Sequence, residues 1–408
     1  MFSLLMPGTA EPSLLMIPKL LILNSQCNVV SPNLCTTMYF YTWLPISELK
    51  VSSKDDKKTF EGFQDCMDEI KNHIPEEKHK TTPLFLGATA GMRLLEASKI
   101  MGKLRDFLSK QNFQFHNASI ITGQEEGLYG WITVNYLKEN FLQVRLESTV
   151  GSMDLGGAST QIAFQVQERG EGPDYMHVKL YGYPYTVYTH SFLCYGKNEA
   201  DKRVLDKVIR VSYIINPCYP RGFNITTKAS SIYDTECIPK PKNYNSGQEF
   251  YMVGGSDSEK CGQIVKSIFN FQNCPSKQCS FNGVEQPPVT GDFMVTLVDT
   301  LKVQKHWISD TYLKTYCFAS HYVLTLLADG YKFDNETWKN IHFEQKIKET
   351  NIGWSLGYML SMSNMIPSEV KEITPMTNPV FAGLIFLFSA LIIVTAVLGF
   401  IILIRTCY

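Results

Sequence analysis

The 408-residue chain has almost no charge imbalance: 38 lysines and arginines stand against 39 acidic residues, for a net charge of −1. It contains no polybasic segment and no long run of like charge, so the electrostatic footprint of nucleic-acid binding is missing and no nucleic-acid partner is expected. No internal repeat or low-complexity tract stands out, which leaves room for two lobes with packed cores. A strong N-terminal targeting signal is also missing. The apolar stretch at residues 14–23 is short, is interrupted by Pro18 and Lys19, and reads at best as a poor signal sequence.

The other end differs. Val380 to Ile404 runs 25 residues without a charge, about 38 Å as a helix, enough to span a bilayer with some tilt. Arg405 then opens a short tail suited to the cytoplasmic side. Six of eleven cysteines, Cys194, Cys218, Cys237, Cys261, Cys274 and Cys279, cluster mid-chain, which favours an oxidising compartment. Asn117, Asn224 and Asn335 each open an Asn-x-Ser/Thr triplet, candidate glycosylation sites consistent with exposure in the secretory pathway.

Three segments carry the chemistry. In residues 153–164, an apolar approach delivers Asp154, and Gly156 and Gly157 are predicted to form a two-residue turn between antiparallel strands. Beyond it Ile162, Phe164 and Val166 alternate with Gln161 and Gln165, the pattern of a half-buried strand. Such a turn shows backbone N–H groups and the Ser159 and Thr160 hydroxyls beside a carboxylate. Amides cradle phosphate, and the carboxylate can hold a hydrated divalent cation against it. Taken alone, a Gly-Gly hairpin with a solvated aspartate reads the same way.

In residues 84–95 an apolar strand runs into small residues, with a helix expected near Met92; small side chains there let an anion approach the helix start, and Thr89 adds a hydroxyl. In residues 118–131 an apolar strand gives way to a helix carrying Leu128, Trp131, Ile132 and Tyr136 at helical spacing. Glu125 reads as a helix-start cap. Glu126, at a strand's carboxyl end, stands where a general base for water would sit.

Together these segments resemble the signature regions of the ecto-apyrases, the ectonucleoside triphosphate diphosphohydrolases. Gly87–Arg93 resembles the second signature, Gly123–Gly127 the third, Asp154–Ser159 the fourth and Trp354–Leu360 the last. The resemblance covers roughly residues 36–405. It implies an α/β, two-lobed ribonuclease-H-like ectodomain, of the kind shared with actin and sugar kinases, followed by a C-terminal transmembrane helix. It also implies Ca2+- or Mg2+-dependent hydrolysis of nucleoside tri- and diphosphates. By the same resemblance Glu126 activates the attacking water, Ser159 and Gln161 position it, and Thr89, Ala90, Gly157 and Ala158 contact phosphate. Asp154 would hold the metal through water. Phosphoryl transfer asks for this division of labour, since it depends on charge neutralisation and in-line placement more than on covalent chemistry. The resemblance pairs the cysteines as Cys194–Cys237, Cys218–Cys261 and Cys274–Cys279.

The departures from the family pattern are specific. The first signature, an Asp-Ala-Gly-Ser-Ser phosphate loop, should precede Thr36–Trp43, but Val30–Cys35 has neither its aspartate nor its glycine. An aromatic-rich stretch that helps hold the nucleobase is expected after Gly291-Asp292-Phe293, and the chain instead passes almost directly to Trp307, Tyr312 and Cys317. A further shortening is expected between Trp43 and Phe63. Cys66 and Cys317 are left without the partners those segments would supply.

The expected organisation is an unrelated leader over 1–35, a truncated first lobe over 36–152, a second lobe over 153–350 and a return to the first lobe over 351–370. A linker at 371–379, the span at 380–404 and a cytoplasmic tail at 405–408 complete it. The resulting expectation is an enzyme of the plasma membrane or secretory-pathway membranes, catalytic part outside or luminal, with homo-oligomerisation left open. The alternative is a catalytically silent membrane glycoprotein, because the first phosphate loop is gone. A sugar kinase or polyphosphatase on the same fold is disfavoured by the cysteine pattern and the C-terminal span.

Overall fold

The computed structural model describes residues 19–22, 63–64, 67–68, 70–94, 98–141, 149–167, 170–210, 214–272, 274, 278–297, 310–344, 346–348, 350–363 and 378–407. Thr36–Trp43, Cys66, Trp307 and residues 371–377 of the expected linker lie outside them. By contacts the chain divides into two units, Met1–Ser363 and Asn364–Tyr408.

In the first unit a three-stranded sheet is built around β2 (Pro83–Ala88), which pairs antiparallel with β1 (Lys19–Ile22) and parallel with β3 (Gln114–Ile120). β2 is buried along its whole length, as a central strand of mainly apolar residues should be. The register sets Lys19 opposite Gly87, so part of the expected leader lies as a strand against the segment that carries Thr89. Helices α1 (Ala90–Arg93) and α2 (Ser98–Leu108) follow β2, and Leu84, Leu86, Met92, Met101, Leu104 and Phe63 share one core.

From β3 the chain enters α3 (Gly123–Leu137) and then a six-stranded sheet of order β12-β11-β4-β5-β7-β6. β4 (Gly151–Leu155), β5 (Ser159–Gln165) and β7 (Tyr183–Leu193) are antiparallel neighbours, with β6 (Tyr175–Leu180) at the edge. β11 (Phe293–Leu297) and β12 (Ile341–Phe343) continue the sheet parallel to β4. A smaller sheet of order β8-β10-β9 consists of β8 (Ile215–Asn216), β9 (Asn224–Lys228) and β10 (Glu249–Gly254). The longer helices of the rest of this unit are α4 (Lys197–Arg210), α5 (Ser258–Lys266), α6 (Asp310–Leu324) and α7 (Trp354–Ser363). Its largest core joins Ile162 and Phe164 of β5 to Tyr188, Phe192, Phe281 and Phe293. Disulfides link Cys194 to Cys237, Cys218 to Cys261 and Cys274 to Cys279, and Cys317 is free.

β5 departs from the half-buried strand its alternation suggested. Residues Ser159–Phe164 are buried on both faces, because α3 lies over the face that carries Gln161 and Ala163. The approach is close: a Cβ on Gly127 would lie 3.5 Å from the Gln161 Cβ and 3.6 Å from the Ala163 Cβ. α3 is correspondingly buried almost all round, because α7 packs against it too. Thr133 Oγ1 donates to Gly353 O at 2.7 Å and accepts from Gly357 N at 2.8 Å. The Tyr129 and Tyr358 rings meet edge-on at 5.3 Å. The Trp354–Leu360 segment thus acts as a brace behind α3.

In the second unit the backbone of Asn378–Cys407 forms one 30-residue helix, α8. Pro379 sits in its first turn, where a missing N–H costs nothing. Counted on the described residues alone, no helix is long and apolar enough to cross a membrane.

Candidate active site

The β4–β5 connection sits one residue further along than its glycines suggested. Leu155 pairs with Thr160, and the Gly156 N–H donates to Ser159 O at 3.0 Å, so Gly157 and Ala158 are the turn's central residues. Neither Gly156 nor Gly157 has a positive φ, so this is not the primed hairpin turn expected of a Gly-Gly pair. The turn is instead clamped from behind. Gly156 O accepts from Lys197 N at 2.8 Å, Gly157 O from Asn198 N at 2.9 Å, and Ala158 O from Cys194 N at 2.8 Å. Among the described residues no acceptor engages the Gly157 and Ala158 amides. The small side chains leave them approachable.

Opposite lies the end of β2. Thr89 and Ala90 are buried where the chain turns from β2 into α1. Together with Gly91, Glu126 and Gly156–Ser159 they line one narrow cleft. Six of the seven expected catalytic and phosphate-contact residues (Thr89, Ala90, Glu126, Gly157, Ala158 and Ser159) therefore share one cleft, and the seventh, Gln161, borders it through its contacts.

The two glutamates at the start of α3 have different surroundings. Glu125 closes a capping box: its Oε2 accepts from Thr122 N at 2.7 Å while its own N–H donates to Thr122 Oγ1 at 3.1 Å. Glu126 is only 5% exposed. Its Oε2 accepts from Arg93 Nη2 at 2.7 Å and from Gln161 Nε2 at 3.1 Å. Two donors on one oxygen fix the plane of the carboxylate. Arg93 also reaches Ile121 O at 2.9 Å and Ser159 Oγ at 3.4 Å.

Gln161 Nε2 sits at the centre of this group. Besides Glu126 it faces Ser159 Oγ at 2.6 Å and Ser191 Oγ at 2.9 Å, three oxygens for two N–H bonds. Glu126 decides the orientation of the amide, since the reversed group would set two oxygens 3.1 Å apart. Close packing brings the elements together: a Cβ on Gly123 would fall 2.3 Å from the Ser191 Cβ, and one on Gly127 would fall 2.3 Å from Thr189 Oγ1.

Asp154 is buried on β4 directly across from Gln161, and it does not line the cleft itself. Thr160, grouped with the phosphate cradle from sequence, faces away. Its hydroxyl donates to Asp154 O at 3.1 Å and meets the Tyr331 hydroxyl at 3.0 Å. Burial pushes the Tyr331 hydroxyl pKa up; the Thr160 bond opposes this and the Asp154 charge adds to it. Asn117, Asn224 and Asn335 are exposed.

Two members of the site carried no role in the sequence reading. Arg93 stands inside the quoted Gly87–Arg93 motif, and its proximity to Glu126, 33 residues later, is set by the fold. Ser191 has no local signal at all. Only the β5–β7 register, which pairs it with Gln161, brings it in.

Comparison with known proteins places the chain in a family. The chain is 37% identical to ectonucleoside triphosphate diphosphohydrolase 3 of Homo sapiens, over 87% of this chain and 81% of that protein. It is 36% identical to ectonucleoside triphosphate diphosphohydrolase 1 of Mus musculus, over 91% and 87%. A solved structure of nucleoside triphosphate hydrolases from Neospora caninum aligns with a TM-score of 0.48 and 15% identity, over 68% of this chain and 72% of that one, too distant to weigh in the assignment. The GDA1/CD39 (nucleoside phosphatase) family pattern matches residues 49–297 and 294–375. With most of its length matched by that pattern, and relatives of this identity aligned along nearly all of it, the chain belongs to the GDA1/CD39 (nucleoside phosphatase) family.

Proposed function

We infer that this chain hydrolyses the terminal phosphate of nucleoside tri- and diphosphates, with Ca2+ or Mg2+, by base-activated water. The observation that carries this is the placement of the buried Glu126 carboxylate, held by Arg93 and Gln161, in a cleft that also presents the unengaged Gly157 and Ala158 amides. In this reading Glu126 takes a proton from water as the oxygen attacks phosphorus. Gln161 and Ser159 hold that water, and Ser191 and Arg93 hold Gln161 and Glu126. Thr89, Ala90, Gly157 and Ala158 bind phosphate oxygens through backbone and hydroxyl donors.

The donors near the cleft are hard oxygens, the Asp154 carboxylate and the Thr89 and Ser159 hydroxyls, and these suit a hydrated Ca2+ or Mg2+. Asp154 would hold the ion through water. When bound, the ion would neutralise triphosphate charge.

The sheet order β12-β11-β4-β5-β7-β6, four antiparallel strands (β4, β5, β7 and β6) extended by two parallel ones (β11 and β12), supports a ribonuclease-H-like second lobe. The apolar, exposed side chains of α8, among them Phe386, Ile392 and Ile393, support a C-terminal membrane span. Thr395 near its middle donates to Leu391 O at 3.0 Å, so its hydroxyl is satisfied within the helix. With three disulfides and three exposed sequons, this supports a glycosylated ectodomain at the plasma membrane or in the secretory pathway.

A second reading rests on the missing Asp-Ala-Gly-Ser-Ser sequence before Thr36. Without it one wall of the cleft loses its amide cradle, and the metal loses one of two orienting carboxylates. Each lost preorganised donor typically costs about 10²–10³ in rate. This form should then hydrolyse ATP at least about 10³-fold more slowly than a chain carrying the loop. The test is phosphate release from ATP and ADP by purified glycosylated protein, with and without Ca2+ or Mg2+, beside a chain with the loop restored. Turnover that survives chelation overturns the metal-assisted reading, and equal turnover of the two chains overturns the silent one.

A further inference from the structure

The sulfurs of α5 and α6 make a second chemical cluster, separate from the cleft. Cys261 on α5 is fully buried and bonded to Cys218. Cys317 on the facing α6 is free and half-buried. Its sulfur, the Cys261 sulfur and a ring nitrogen of His321 all lie within 4.8 Å of one another. His321 stands one helical turn after Cys317, and its ring lies flush against α5, where a Cβ on Gly262 would come 2.9 Å from Nδ1. Ser258 Oγ is 2.9 Å from His321 Nε2, and the same hydroxyl hydrogen-bonds the Cys317 thiol. A third sulfur is thus held beside a formed disulfide, with a hydroxyl and an imidazole linked to it.

We propose that Cys317 is a resident nucleophile that exchanges with the Cys218–Cys261 disulfide, moving the cross-link to Cys261–Cys317. The Cys317 thiolate attacks the Cys261 sulfur, the Cys218–Cys261 bond breaks, and its electron pair leaves on Cys218. The proton released by Cys317 passes along Ser258 and His321 and is taken up by Cys218. One disulfide and one thiol are present before and after, so no external oxidant or reductant is required. Attack falls on Cys261 because that is the sulfur within reach. Burial raises the Cys317 thiol pKa and the Ser258 bond opposes this, so exchange is slow at neutral pH and depends on the Ser258–His321 pair. Exchange would tie α5 directly to α6 and release the loop that follows β8.

The test uses the full chain without added reductant. It is incubated overnight at about pH 8, where thiolate forms more readily, then acid-quenched, alkylated with N-ethylmaleimide and mapped by non-reducing peptide mass spectrometry. Two populations are expected: Cys218–Cys261 with alkylated Cys317, and Cys261–Cys317 with alkylated Cys218. Cys317→Ser should leave the first alone. His321→Gln should slow the approach to the mixture about 10²-fold, the lower end of the range for loss of a proton carrier. In Cys218→Ser, refolded in a glutathione redox buffer, Cys261–Cys317 should form. Wild-type chain that yields only Cys218–Cys261, with Cys317 fully alkylated, overturns the proposal whatever the variants do.

Discussion

Gly127→Ala tests the packing that sets Glu126 in place. The new methyl would lie 2.3 Å from Thr189 Oγ1, well inside contact distance. Thr189 is fully buried and its hydroxyl donates to Gln124 O at 3.0 Å, so turning it away breaks that bond in a packed region. The alternative is for α3 to lift from β5 and β7, carrying Glu126 away from Gln161. Overpacking of this kind costs about 1–3 kcal/mol, which corresponds to a fall in Tm of roughly 2–8 °C. A displacement of the base by about 1 Å should cost about 10²-fold in turnover. Thr189→Ala alone should cost about 1 kcal/mol, the value of one hydrogen bond. The double variant should recover much of the loss, because the remaining neighbours, at 3.5 and 3.6 Å, are at ordinary contact distance. The expected coupling is about 1–2 kcal/mol. Denaturant unfolding and phosphate release on the four chains supply the measurement. If Gly127→Ala is as stable as the parent, or the two losses simply add, α3 is not held by this contact.

Glu126→Gln should reduce phosphate release by about 10² or more while nucleotide binding persists, whereas Glu125→Gln, which keeps a side-chain oxygen for the Thr122 N–H of the capping box, should change turnover much less. Equal kinetic losses at the two positions would remove Glu126 from the role of base. Asp154→Ala should abolish the metal-stimulated part of turnover, and an unchanged Ca2+ or Mg2+ titration curve would count against it. Asp174 gives the pH prediction. Burial would raise its carboxyl pKa, but the His190 hydrogen bond and charge and the Gln124 amide outweigh burial and hold it below the usual 3.8. A lowered folded pKa contributes stability that is complete above 3.8 and lost as pH falls below it. The stability gap between the parent and Asp174→Asn should therefore close on acidification. A gap that stays constant from neutral pH into this acid range would refute that.

Much of the site is written locally in the chain. Thr122 and Glu125 form a cap because their spacing permits nothing better for two helix-start groups, and that spacing is visible without a structure. The small residues at 87–91 and 156–158 are legible as places where backbone can meet an anion, and the charge-free run at 380–404 as a long apolar helix. Periodicity also assigned Gln161 and Ile162 to opposite faces of a strand. What covers those faces was not legible, because alternation reports which way side chains point and not what packs on them. The fold lays α3 on the polar face, which turns Gln161 from a solvent-facing residue into a buried one bonded to Glu126. The same holds for Arg93 and Ser191, joined to Glu126 and Gln161 across 33 and 30 residues of sequence. It holds for Cys317, set beside Cys261 by two packed helices. Sequence determined the local conformations and the residue types available, since those follow from backbone sterics and side-chain chemistry within a few residues. Tertiary structure alone decided which carboxylate, amide and sulfur would meet, because those contacts depend on strand register and on how closely glycine lets one element approach another.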